Sequence, residues 1–305
     1  MQDAEYPMGQ AEARRVDRRI ELIKVGQMTR EVNAWNSGDR GWQARVLVQV
    51  GLPHQDPGDV LAWSRANGGV SLLLQPGVKP GPNGQPMSLG LPSGGWPRLA
   101  LTWLVSEAVN NRSPHVELGR SQRTFLRRLD PDADLSGSGY RRFGTQMDRM
   151  LASRWILRDR EHPVQVSLQI ADQYQLWWDP RQPDQDGLWP SELTIAPGFY
   201  ERLLQRPVPV DWRAIRALKG SSLALDLYVW LTWRMFGLEA PVLVPWRALG
   251  AQLGSDYGRT RDLKRRLMPA LADVRCVYPT VNVAATEEGL WLHPSPCHLP
   301  RRPGF

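Results

Sequence analysis

Residues 10–35 carry apolar side chains at helical spacing, and Val16, Ile20, Ile23 and Met28 could share one face of a densely charged helix. So charged a helix needs a partner surface, on its own chain or on a second copy. From residue 45 the runs shorten to RVLVQVGL and, at 70–77, VSLLLQPG, whose β-branched and leucine-rich composition predicts strands. DPGDVLAWSRANGG between them reads as a turn and short helix, and PGVKPGPNGQP (76–86) as loop. WPRLALTWLVSEAVNNR then places Pro97 near a first helical turn and is apolar on most sides, as a buried helix requires. HVELG predicts a short strand, RSQRTFLRRLD an amphipathic helix, and 140–158 a helix with Phe143, Met147, Met150 and Leu151 along one stripe. VQVSLQIADQYQLWW predicts two strands turning near Ala171 and Asp172.

After the proline- and acid-rich stretch DPRQPDQDGLWP (179–190), the order repeats. A helix beginning near Ser221 and Ser222 is apolar nearly all round. VLV is a short strand, and PWRALGAQLG a helix opened by Pro245 and closed by Gly254. GRTRDLKRRLMPAL is a third helix, and RCVYPTVNVAATEEGLWLHP two strands around Glu287, Glu288 and Gly289. Helix, strand, helix, helix and ribbon is the winged-helix order, in which the third helix can enter the major groove. The expected fold is therefore α+β. A helical arm (1–44) precedes a winged-helix domain (45–180), a linker (181–210) and a second winged-helix domain (211–305), an internal repeat by element order.

Charge sharpens this picture. The chain has 305 residues, net charge +7 and only four lysines, so its basicity is arginine's. Residues 112–161 hold eleven Arg against seven acids, and 257–305 eight basic against four acidic residues, +4 each. Residues 162–200 between them carry one Arg against five acids. Such a balance suits a polyanion. Two cysteines exclude a disulfide framework and suit a cytoplasmic setting, and no apolar run is long enough to span a membrane.

The third helix of the second half has Leu263, Leu267, Ala270 and Val274 in a narrow arc. Arg261 and Arg265 lie on the far side, with Lys264 and Arg266 on the shoulders. Surface helices usually mix signs to form i,i+4 pairs; here only Asp262 offers one. Arg259, Thr260, Arg261, Lys264, Arg265 and Arg266 are accordingly candidate DNA contacts, to guanine edges or to phosphates. In the first half Arg141, Arg142 and Arg149 suit phosphates, and Thr145 and Gln146 base edges. Arg127 and Arg128 are open between phosphate clamps and helix-end charges. Trp177 and Trp178 could stack bases or pack in the core. No phosphate-binding loop, paired-histidine motif or metal-ligand spacing is present, so neither catalysis nor a cofactor or metal is expected. His293, Cys297 and His298 read as tail residues, and Asp130, Asp132 and Asp134 as a solvated turn.

Five stretches resemble the plasmid-encoded RepA replication initiators: LPSGGWPRLALTWLVSEAV, VELGRSQRTFLRRL, KGSSLALDLYVWLTWRM, VPWRALGAQLGSDYGRTRDLKRRL and VYPTVNVAATEEGLWLHPSP, spread over about residues 45–300. The resemblance implies tandem winged-helix domains, binding to duplex repeats at a replication origin, and recruitment of a host initiator or helicase. A homodimer through the first domain would leave the C-terminal helix as main reader. Pro269 departs from the family's uninterrupted helix and predicts an end or kink near 266–268. A transcriptional repressor, a DNA-processing enzyme and an assembly module binding an acidic partner are the alternatives.

Overall fold

The computed structural model describes residues 10–81, 83–133, 136–159, 162–175, 185, 191–253 and 259–300. The charged N-terminal stretch is one helix, α1 (Gln10–Glu31). Its packed face differs from the apolar stripe: Leu22, Gly26 and Thr29 are buried, whereas Val16, Ile20, Ile23 and Met28 are all over 40% exposed. Gly26 sets this choice, because a Cβ there would lie 1.9 Å from the carbonyl oxygen of Cys276 in the long C-terminal helix. A backbone approach that close outweighs an aliphatic stripe in deciding which side is covered.

Next come α2 (Ala34–Ser37), β1 (Arg40–Gln43) and α3 (Arg45–Gln49). Residues 45–49 are thus helical, not the expected strand, because one short turn buries both Leu47 and Val48. The expected short helix at 63–67 is instead β2 (Trp63–Asn67), paired through a Gly68–Gly69 turn with β3 (Val70–Gln75). Its one fully buried residue is Arg65, so it lacked the apolar alternation that marks a strand. Within the expected loop, β4 (Val78–Pro80) and β5 (Pro86–Ser88) form a small exposed hairpin.

The buried helix is α4 (Gly95–Asn111), followed by β6 (His115–Gly119), α5 (Gln122–Leu129) and α6 (Gly137–Ala152). Residues 154–159, expected to continue that last helix, are β7 (Arg154–Asp159), with Trp155 and Leu157 buried and their neighbours less so. The ribbon also differs: β7 pairs with β8 (His162–Leu168), while β9 (Ala171–Gln175) pairs with β10 (Ser191–Ile195). Two sheets result, β2-β3-β7-β8 and β6-β10-β9, every described pairing antiparallel. The 181–210 segment contains β10, α7 (Pro197–Leu204) and the start of β11 (Val208–Asp211), and β11 pairs with β1.

The C-terminal half runs α8 (Trp212–Leu218), α9 (Ser222–Met235), β12 (Val242–Pro245), α10 (Trp246–Leu253), α11 (Thr260–Val277), β13 (Val283–Ala285) and β14 (Gly289–Leu292). The last three strands form an antiparallel sheet in the order β12-β14-β13. Both halves keep the order helix, strand, helix, helix, hairpin. Only in the second does the hairpin pair with the strand preceding it; in the first it joins β3.

One hydrophobic core runs through both halves. A buried charge cluster crosses it: Arg98 of α4 donates from Nε and Nη2 to Asp226 of α9, 2.7 Å each, and His54 Nε2 lies 2.9 Å from the same carboxylate. Arg98 also donates to the carbonyls of Leu52, Pro53 and Gly94, which completes its fork. Burial would raise the Asp226 carboxyl, but the Arg98 charge and the hydrogen bonds outweigh it and hold the group well below the carboxylate range.

Candidate nucleic-acid interface

α11 is uninterrupted from Thr260 to Val277 with Pro269 inside it, so the expected end near 266–268 does not occur. Pro269 lies on the exposed side and leaves the Arg265 carbonyl without its i+4 donor, a group that water can satisfy. Burial of Leu267, Ala270, Leu271, Val274 and Val277 beside it carries the helix past that gap. Leu263 completes the buried stripe towards the N-terminus.

Arg261 and Arg265 lie opposite that stripe and Arg266 on its shoulder; all three are exposed, as are Thr260 and the N-cap residue Arg259. Arg265 Nη2 reaches Asp262 Oδ1 at 3.2 Å while its side chain stays 69% exposed, so the contact is solvent-screened. Arg259, Arg261 and Arg266 make no ion pair among the described residues. The first two turns of α11 thus present four guanidiniums to solvent, with one carboxylate to offset them.

Lys264 has a different environment. Its Nζ donates to the Glu287 carbonyl at 2.9 Å and stands 4.9 Å from the Trp246 ring centroid. Trp246 Nε1 in turn donates to the carbonyls of Thr286 and Glu287, at 3.1 and 3.0 Å. Helix α10, helix α11 and the β13–β14 turn are thereby locked together, and Lys264 is a strut between helix and hairpin. The side chains of Glu287 and Glu288 on that turn are exposed, so the hairpin tip is acidic beside a cationic helix.

On α6, Arg141, Arg142 and Thr145 are exposed, and the Thr145 hydroxyl donates back to the Arg141 carbonyl at 2.9 Å. Gln146 and Arg149 are engaged inside the fold. Gln146 Oε1 accepts from the Ser93 amide at 2.8 Å. Arg149 pairs with Asp56 at 2.6 Å and donates from Nε to the Leu89 carbonyl at 2.7 Å. That arginine clamps the loop before α4 and the loop before β2 onto α6. Arg127 is exposed, while Arg128 caps the Glu117 carbonyl.

Asp130, expected in a solvated turn, is buried and salt-bridged to Lys219. His298 is no loose tail residue either: its Nδ1 lies 2.7 Å from the Tyr228 hydroxyl and its ring 4.6 Å from that of Tyr278. Burial pushes its imidazole down to about 4. These contacts, like the Arg98–Asp226 pair, join residues far apart in the chain, and no local pattern announces them. The Lys264 strut was legible only in part, from the cation's shoulder position. Among the described residues no cluster of His, Cys, Asp and Glu could hold a metal ion, and no helix is long and apolar enough to cross a membrane. Trp177, Trp178, Asp134, Gly254 and most of the 179–190 boundary lie outside the described residues.

Residues 91–241 match the family model described as plasmid encoded RepA protein. No curated protein matches the chain. Among solved structures, that of RctB domains 2-3 (residues 155–483) is similar over 81% of this chain and 94% of that one, with 11% identity and a TM-score of 0.49. A selenomethionine derivative of RctB domains 2 and 3 is similar over 73% of this chain and 82% of that one, with 13% identity and a TM-score of 0.48.

Proposed function

We propose that this chain, whose residues 91–241 match the family model described as plasmid encoded RepA protein, is a replication initiator that binds duplex repeats at its plasmid's origin. The reading rests on one observation above all: the exposed cationic face of the first two turns of α11, backed by a fully buried apolar stripe. In this reading the C-terminal half is a winged helix and α11 is its recognition helix, with the 259–266 turns in the major groove. Arg261 and Arg265 contact base edges or phosphates, and Arg259 and Arg266 flank them. Lys264 holds the hairpin in place. The acidic tip at Glu287 and Glu288 is repelled by phosphates, so the hairpin frames the groove rather than lying along the backbone.

The first half contributes less to DNA. Gln146 and Arg149 are committed to the fold, which leaves Arg141, Arg142 and Thr145 as an accessory phosphate contact. The protein acts in the cytoplasm without a chemical step of its own. Bound copies strain the adjacent duplex and present a surface to the host initiator or helicase. Fluorescence anisotropy on duplex repeats from the same replicon tests this. If Arg261 bridges a guanine, Arg261→Ala costs about 1–3 kcal/mol and relaxes specificity at one base. Binding that ignores sequence and salt, or primer synthesis or cleavage by the pure protein, would overturn the reading.

A further inference from the structure

The buried side of α1 does not end where its apolar residues do. At about 100° per residue, Leu22, Gly26 and Thr29 mark that side, and Arg15, Arg18 and Arg19 continue it over the two preceding turns. Asp17 and Glu21 turn away from it, while Glu12 and Arg14 flank it on opposite edges. Arg18 donates to Asp273 of α11 at 2.9 Å. Burial raises the Asp273 carboxyl against the pull of the Arg18 and Arg19 charges, so two guanidiniums share one acid. Arg15 and Arg19 are exposed, and among the described residues neither makes an ion pair. Successive contacts show where these arginines lead. Thr29 Oγ1 reaches the Val277 carbonyl at 3.3 Å, Gly26 abuts the Cys276 carbonyl, and Arg18 meets Asp273. Descending α1 therefore descends α11 obliquely, and the first turns of α1 lead back towards the cationic turns of α11. Arg266 lies on the same side of α11 as Asp273, about 10 Å nearer its N-terminus. Arg15, Arg19 and Arg266 thus border one corner of the surface, whose acids Asp262 and Asp273 are already held by Arg265 and Arg18.

We infer that Arg15 and Arg19 of α1 bind the phosphate backbone of the duplex along one rim of the groove that α11 enters. Charge complementarity selects the occupant: unneutralised guanidiniums stand where the helix leaves the body's edge, and a polyanion supplies the missing counter-charges. Spacing agrees with it. Packed helices lie about 8–10 Å apart, and a major groove is about 12 Å wide, so a helix alongside the one in the groove meets the bordering phosphates. Arg18, tied to Asp273, holds α1 at that rim and is a positioning residue. α1 thereby adds affinity without reading bases, since phosphate contacts carry no sequence information.

This role for α1 rests on α11 entering the groove, and the experiment separates the two. Fluorescence anisotropy across a salt series compares Arg15→Ala/Arg19→Ala with the unsubstituted full chain, on origin repeats and on an unrelated duplex. Affinity should fall by the same factor on both duplexes, and the log–log salt slope should be lowered by about two. Arg15→Lys/Arg19→Lys should keep the slope, because a point charge suffices for a phosphate. The melting curve should not move, since both side chains are exposed. An unchanged slope and affinity, or a loss confined to the repeat sequence, would overturn the inference. So would a lowered melting temperature, which would make the two arginines struts of the fold. Weaker binding in Arg261→Ala/Arg265→Ala but not in Arg15→Ala/Arg19→Ala sinks the role of α1 alone; no loss in either sinks both.

Discussion

Asp226 is the residue on which the two halves depend most. It neutralises Arg98 and holds His54 within the buried region between α4 and α9. Asp226→Asn would leave the guanidinium buried without its counter-charge and should cost about 3–5 kcal/mol in urea denaturation. Because its folded pKa lies below its unfolded value, its stabilisation is present above about pH 4 and is lost as the pH falls further. His298 acts in a higher window. Burial holds its imidazole at about 4 in the fold against about 6.5 unfolded, so stability is full above pH 6.5 and falls as the pH drops to 4. The loss should be on the order of 3 kcal/mol, and His298→Asn should flatten that part of the pH–stability curve. Exposed cationic positions were legible at this scale where charge stood unopposed on a helix face, as at Arg261 and Arg266. They misled where an arginine or glutamine had a distant partner, as Arg149 has in Asp56 and Gln146 in the Ser93 amide.

Helices with long apolar runs declared themselves: α4 and α9 are apolar on most sides, and the existence of α11, though not its passage through Pro269, follows from the spacing of Leu263, Leu267, Ala270 and Val274. Short elements did not, because five residues such as 45–49 or 63–67 fit two periodicities and tertiary burial decides between them. α11 shows that a local rule can be outweighed, since Pro269 sits inside a helix that six buried side chains hold in place. Pro269→Ala should restore an amide donor for the Arg265 carbonyl and raise stability by about 1–3 kcal/mol, read from thermal or urea unfolding. The reverse holds for α1. Gly26→Ala places a methyl group against the Cys276 carbonyl and should cost at least about 1–3 kcal/mol, with α1 displaced from α11. Hydrogen exchange faster in 18–31 than elsewhere would locate that effect.

At the scale of the whole molecule the chain is tied end to end. β1 pairs with β11, α1 rests on α11, Arg98 reaches Asp226, and Gln252 of α10 donates to the Val48 carbonyl at 2.8 Å. Unfolding should therefore be one cooperative transition, and two separated transitions in calorimetry would show that the halves fold independently. Element order in the two halves was readable from sequence. The crossed pairing of their strands was not, since β3 and β10 reach their partners over long sequence separations. That integrated body presents the basic turns of α11 on a fixed frame, which is the central functional claim. Its most direct test is the affinity of the Arg261→Ala/Arg265→Ala protein for origin repeats, measured against salt beside the unsubstituted protein. If both arginines contact phosphate, the account predicts uniformly weaker binding and a log–log salt slope lowered by about two. If they read guanines, it predicts a loss of about 2–6 kcal/mol with relaxed specificity at two bases. Affinity, specificity and salt slope all unchanged would contradict it.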